Sequence, residues 1–125
     1  MSGCTYETLD PGPWLQIGAP RRFALRRVRI ACDLARPIRL VHLTDLHLRP
    51  GWSSSHDRLL GLIADQSPDV IVCTGDWIDD KFDHRAAMPV LRRLVERLLA
   101  LAPGGVVSIV GNHDGDFVAP RLMQM

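Results

Sequence analysis

At 125 residues, 46% hydrophobic and 23% charged, the chain has the make-up of one soluble globular domain, which excludes a disordered tail or a fibrous repeat. Its formal net charge of +1, with basic residues almost all arginine, gives no clear nucleic-acid patch and no commitment to an anionic membrane. No run of about 18 apolar residues occurs, so no transmembrane segment is expected, and the well-separated Cys4, Cys32 and Cys73 lack zinc-knuckle or disulfide-framework spacing and suit a reducing, cytoplasmic compartment.

Residues 1 to 22, with Pro11, Pro13 and Pro20 among Gly3, Gly12 and Gly18, read as an irregular lead-in that Trp14 and Leu15 pin to the body of the domain. Arg21-Arg22 is not followed by the apolar stretch an export signal needs, because Arg26, Arg27 and Arg29 interrupt it. From Phe23 to Cys32 the pattern favours a strand, and Arg27-Val28-Arg29-Ile30 alternates as a half-buried strand with a solvated basic face. Ile38 to Leu43 reads as a second strand, joined to the first as an N-terminal β-hairpin by a turn near Asp33 to Pro37. Asp57 to Ala64, with Leu59, Leu60, Leu62 and Ile63, has helical spacing, and Ser53, Ser54 or Ser55 serves as its N-cap.

Val70-Ile71-Val72-Cys73, bounded by Pro68 and Gly75, suits a strand buried on both faces, with Cys73 a small core residue. Between about Ala86 and Ala102 an apolar stripe of Val90, Leu91, Leu94, Val95, Leu98, Leu99 and Leu101 faces a polar one of Arg92, Arg93, Glu96 and Arg97. That helix stops at Pro103-Gly104-Gly105, and Val106 to Val110 follows as another buried strand. From residue 38 the order is strand, helix, strand, helix, strand. It predicts an α/β fold of mainly parallel strands with right-handed helical crossovers, which brings the C-terminal ends of the three strands to one edge of the sheet.

Hard metal-ligand residues stand at each of those ends: Asp45 and His47 after the first strand, Asp76 after the second, Asn112 and His113 after the third. Open α/β sheets bind ligands along that edge, so three separate turns deliver carboxylates, an amide and imidazoles to one place. In extended backbone the two-residue period of Asp45-Leu46-His47 turns both ligands to one side and Leu46 to the other. An Asp-x-His triplet or a Gly-Asp pair alone is ordinary turn chemistry. With both oxygens, however, Asp76 is the candidate bridge between two cations about 3.5–4 Å apart. Gly111-Asn112-His113-Asp114 is more specific, since a turn needs no histidine: Asn112 offers a neutral oxygen to a cation, and His113 can protonate a leaving oxygen. Asp114 orients the His113 ring or simply solvates the turn. No glycine-rich phosphate loop follows any predicted strand, which disfavours a plain nucleotide-binding module.

Asp45-Leu46-His47, Gly75-Asp76 and Gly111-Asn112-His113-Asp114, in this order and spacing, resemble the first three sequence blocks of the calcineurin-like metallophosphoesterase superfamily. His42-Leu43-Thr44-Asp45-Leu46-His47-Leu48 looks most like its phosphodiesterase-type branch, which includes the bacterial YkuE and YaeI proteins. The resemblance implies a partial metallophosphoesterase α/β sandwich of two sheets. It also implies a dinuclear centre of manganese, iron, zinc or similar divalent ions, with Asp45 and His47 on the first metal, Asp76 bridging and Asn112 on the second. A metal-held hydroxide would hydrolyse a phosphomonoester or phosphodiester, of a small molecule or a nucleotide, with His113 assisting the leaving oxygen and Asp114 behind it.

The superfamily continues with an isolated histidine and a Gly-His-x-His block, and no histidine follows Asp114 here. Residues 23 to 125 are therefore expected to be the N-terminal half of a catalytic domain. That half would be inactive alone, carry an uncovered apolar sheet face, and be completed by a missing C-terminal half or a second chain. His42, His56 and His84 fall outside the motif positions and read as structural or solvated. The alternative function is a non-catalytic metal- or phosphate-binding or interaction module built on the same half-fold.

Overall fold

A computed structural model describes residues 6–8, 25, 27–79 and 83–125. The chain divides into two compact units, Met1–Pro37 and Ile38–Met125. In the first, strand β1 (Tyr6–Thr8) pairs antiparallel with β2 (Val28–Ile30), Tyr6 opposite Ile30. The antiparallel pair expected near the N-terminus thus forms, but the partner of β2 is Tyr6–Thr8 and not the strand beginning near Ile38. The half-buried face expected for Arg27 to Ile30 is also absent: Val28 and Ile30 stay more than half exposed, and Arg27 and Arg29 are exposed too. Apart from Tyr6–Thr8, the predicted lead-in and its pins Trp14 and Leu15 lie outside the described residues.

The second unit runs β3 (Leu40–Leu43), α1 (Ser54–Gln66), β4 (Val70–Cys73), α2 (His84–Leu101), β5 (Val106–Ser108) and α3 (Gly115–Leu122). The strands form a parallel sheet of order β3-β4-β5, with Leu43 beside Cys73 and Cys73 beside Ser108. Residues 40 to 43 belong in this sheet, where Leu40, Val41 and Leu43 stand beside Val70, Ile71 and Cys73 of β4. No helix among the described residues is long and apolar enough to cross a membrane.

Helix α1 begins three residues before its predicted start, because the turn at Ser53 is closed from both sides. The Ser53 amide donates to Nδ1 of His56 (3.0 Å), as the third residue of a capping box does, although that position usually carries Glu or Gln. Trp52 stacks on the His56 ring at 4.7 Å and donates its indole N–H to Asp57, while the Arg93 guanidinium of α2 lies 4.1 Å over the Trp52 ring. Helix α2 is capped by Asp83, whose carboxylate accepts the Arg85 amide (2.9 Å). The α3 helix has no counterpart in the sequence reading, since Pro120 and Gly115 mask its short apolar pattern.

Both crossovers step in the same direction across the sheet, so right-handed connections put α1 and α2 on one face. Leu43, Ile71 and Cys73 on that face are buried, together with Leu59 and Ile63 of α1 and Val90, Leu91, Leu94 and Leu98 of α2. The opposite face carries Leu40, Val70, Val72 and Val107, extended by Ile109. It is open: Leu40 is 58%, Val107 57% and Ile109 61% exposed. The buried strand predicted over Val106 to Val110 is not found: the strand ends at Ser108, Val106 and Ser108 are only half-buried, and Val107, Ile109 and Val110 are exposed, since a sheet with all its crossovers on one side leaves the other uncovered.

Candidate metal centre

Above the sheet edge the turns after β3 and β4 continue the ladder as a pair. The His47 amide donates to the Asp76 carbonyl (3.0 Å), Leu48 to Trp77 (2.7 Å), and Asp79 back to Leu48 (3.0 Å), with Leu48 bridging Ile78. The third turn, 109–114, joins through the Ile109 amide, which donates to the Cys73 carbonyl (3.0 Å), and through the Asp76 side chain. His113 donates its amide to Oδ1 of Asp76 (3.0 Å), and Gly111 approaches the same carboxylate so closely that any β-carbon there would collide with Oδ1. Gly75 meets the third turn reciprocally. A β-carbon on it would collide with the Gly111 amide and lie 2.7 Å from the Gly111 Cα. Two glycines thus let two turns touch backbone to backbone, and the contact presses Asp76 against the Gly111 to His113 segment.

Asp45, His47 and Asp76 each offer a ligand atom within 4.8 Å of the others, a spacing that fits a cation. Nε2 of His47 lies 3.7 Å from Oδ1 of Asp45, and the His47 and His113 rings meet edge to face at 4.9 Å. Asn112 is exposed and sits between Gly111 and His113, the two residues that bear on the Asp76 carboxylate. The turns therefore bring Asp45, His47, Asp76 and His113 together, with Asn112 at their margin. Carboxylate oxygens and an imidazole nitrogen form a mixed donor set that suits several first-row divalent ions.

The way Asp45 and His47 reach one side differs from the extended backbone expected of them. Among the described residues, those other than glycine with left-handed φ are Asp45 (55°), His47 (43°), Asp76 (54°) and Ser67 (48°). Ser67 simply caps α1. The other three are the candidate ligands themselves, and each such conformation costs on the order of 1–3 kcal/mol unless its surroundings enforce it. Buried Leu46 and Leu48, alternating with Asp45 and His47, and buried Trp77 and Ile78, which follow Asp76, supply that enforcement, with the Trp77 indole N–H anchored on Ser108 Oγ (2.9 Å).

Electrostatics favour a charged ligand at Asp45, whose carboxyl is held below its ordinary value. The Thr44 hydroxyl donating at 2.7 Å is the main cause, with His47 adding to it against the cost of burial. Burial pushes the Cys73 thiol up to about 11, and the nearby negative charge of Asp114 and Asp45 adds to the effect.

Asp114 lies beneath the turn. It is wholly buried, its Oδ1 accepts the Ile78 amide (3.0 Å) and its Oδ2 accepts the Gly111 amide (2.7 Å). Sequence reasoning missed those partners, and also the buried Asp79 carboxylate held by Arg49 Nε at 3.2 Å. A second aspartate three residues past Gly75-Asp76 was the available signal. His42 pairs with Thr74 (2.8 Å), His56 closes the α1 cap, and His84 stacks on Phe117 at 6.3 Å, so all three have structural partners.

A family model described as calcineurin-like phosphoesterase matches residues 38–123, which is more than half of the chain. The uncharacterized metallophosphoesterase YkoQ of Bacillus subtilis (strain 168) is 37% identical over 78 residues, covering 62% of this chain and 27% of the relative. The uncharacterized metallophosphoesterase YkuE of the same organism is 38% identical over 80 residues, covering 61% and 26%. The chain thus spans about a quarter of the length of the curated relatives it matches. No solved structure matches it significantly.

Proposed function

The chain belongs to the calcineurin-like phosphoesterase family, and on that premise we propose that it contributes the first three ligand turns of a phosphoesterase that works with two divalent cations. The observation that carries this reading is the convergence of Asp45, His47 and Asp76, all in left-handed backbone, with donor atoms within 4.8 Å of one another. Asp45 and His47 hold the first ion, Asp76 bridges, and Asn112 reaches the second. Bound there, manganese, iron, zinc or similar ions supply an activated water and positive charge for the phosphoryl oxygens.

The remaining chemistry belongs to side chains. The Asp45 carboxyl, with its depressed pKa, stays ionised as a ligand. The His113 ring, edge-on to His47, holds a proton for the departing ester oxygen, and the His113 backbone N–H, donating to Oδ1 of Asp76, keeps the residue beside the bridging carboxylate. The substrate is a phosphate ester of a small molecule or nucleotide, a monoester or a diester, and the setting is the cytoplasm, where the free thiols of Cys32 and Cys73 stay reduced.

Four side chains do not fill the coordination of two such ions, each of which takes about four to six donors. The 125 residues by themselves accordingly hold manganese weakly and turn over bis-p-nitrophenyl phosphate at a negligible rate. A manganese titration tests the reading: Asp76→Asn should weaken binding by about tenfold or more. Unchanged binding in that variant would remove the bridging role, and substantial turnover by the 125 residues alone would show their ligand set to be sufficient.

A further inference from the structure

Asp114 stands at the N-cap of α3, where an aspartate ordinarily accepts amides from the first turn of its own helix. It makes no side-chain cap bond there. Its buried carboxylate instead reaches Ile78, which is 36 residues away in the chain and lies two residues past Asp76. The other oxygen takes the Gly111 amide, on the residue whose Cα faces the Asp76 carboxylate. One carboxylate therefore bonds the backbone of the second ligand turn to that of the third, at the point where they touch through Gly75 and Gly111.

We propose that Asp114 is a positioning residue: by accepting the Ile78 and Gly111 amides it sets the spacing between the second and third turns, and so the separation of Asp76 from Asn112 across a pair of cations. The inference rests on the two-ion reading above and adds to it a residue that touches neither metal nor substrate. Charged acceptors bond amides more strongly than neutral ones, and a carboxylate has the two acceptor oxygens this arrangement needs. Asparagine in its place keeps one acceptor and turns an NH2 group toward an N–H, so one of the two turns is released.

Manganese is the probe, and electron paramagnetic resonance distinguishes an exchange-coupled pair from isolated ions well below the unfolding transition. At manganese concentrations high enough to fill weak sites, wild type should show the coupled signal, and isolated ions alone would defeat the two-ion reading. Asp114→Asn should lose it, with the affinity for the second ion falling about tenfold or more while the first stays at Asp45 and His47, as when a group behind a ligand is removed. A merely structural aspartate would lower the melting temperature and leave the coupled signal intact, and that result overturns the proposal while the two-ion reading stands. Absence of manganese binding in wild type, or binding unaffected by Asp76→Asn, defeats the two-ion reading and this inference with it. If Asp114→Asn does not fold, amide exchange in the wild type decides: the Ile78 and Gly111 amides should be among the slowest in the metal-free protein, and fast exchange at either overturns the assignment.

Discussion

Gly111 and Gly75 face each other across two turns with no room for a methyl group on either side. Gly111→Ala would push a carbon into the Asp76 carboxylate. It is expected to lower manganese affinity by about tenfold or more and to shift the thermal transition down, whereas Gly61→Ala, in open space on α1, should do neither. Isothermal titration and thermal melts of the two variants check this, and equal behaviour would mean the turns are not pressed together. Cys73 gives a second residue-scale expectation. With its thiol pushed up to about 11, little thiolate forms at pH 8, so iodoacetamide should label exposed Cys32 quickly and Cys73 only after unfolding. The same shift has a stability sign. The folded thiol keeps its proton when the unfolded one, near 9.0, loses it, so this contribution is complete below pH 9 and is lost between about 9 and 11. Alkaline denaturation of Cys73→Ala should lack that decline. What the sequence announced at this scale was residue type: a carboxylate, an imidazole or an amide at each strand end. It did not announce the left-handed backbone of Asp45, His47 and Asp76, nor the reach of Asp114 to Ile78. Both depend on contacts between turns more than 30 residues apart, which leave no local period to read.

Helix α2 was legible because a stripe recurring every three or four residues has one physical meaning, burial of one face. Leu91, Leu94 and Leu98, wholly buried, make up the centre of that stripe. Leu94→Ala should cost about 2–5 kcal/mol in chemical denaturation, whereas exposed Leu99→Ala should cost far less. A small difference between the two would place the core elsewhere. The start of α1 was less legible, since its cap is completed by a histidine and by Trp52 with Arg93 from another helix. The partner of β2 is not legible for a related reason: adjacency in sequence favours a hairpin, whereas Leu40 to Leu43 pairs with Val70 to Cys73, a distant partner that leaves no local signal.

At the scale of the Ile38–Met125 unit, one asymmetry dominates. Parallel sheets are ordinarily covered on both faces, and here two crossovers that step in the same direction across the sheet cover only one. Leu40 on β3 and Val107 on β5, with Ile109 beyond it, are left exposed on either side of half-buried Val70 and Val72, an apolar face of the kind that binds hydrophobic dyes and drives self-association in water. The chain is therefore expected to enhance ANS fluorescence in its native state and to associate with increasing concentration. Val107→Thr with Ile109→Thr should reduce both effects while changing folding free energy by about 0.5 kcal/mol or less per site, because each side chain is already more than half exposed and little is lost from the core. Threonine keeps the β-branched shape that favours the strand, so the substitution tests the surface and not the sheet. Absence of dye binding would show that the face is covered in solution. Where the 125 residues do bind dye, comparison with any longer form of the protein identifies a covering segment, since polypeptide seated on Leu40, Val107 and Ile109 must abolish the fluorescence gain.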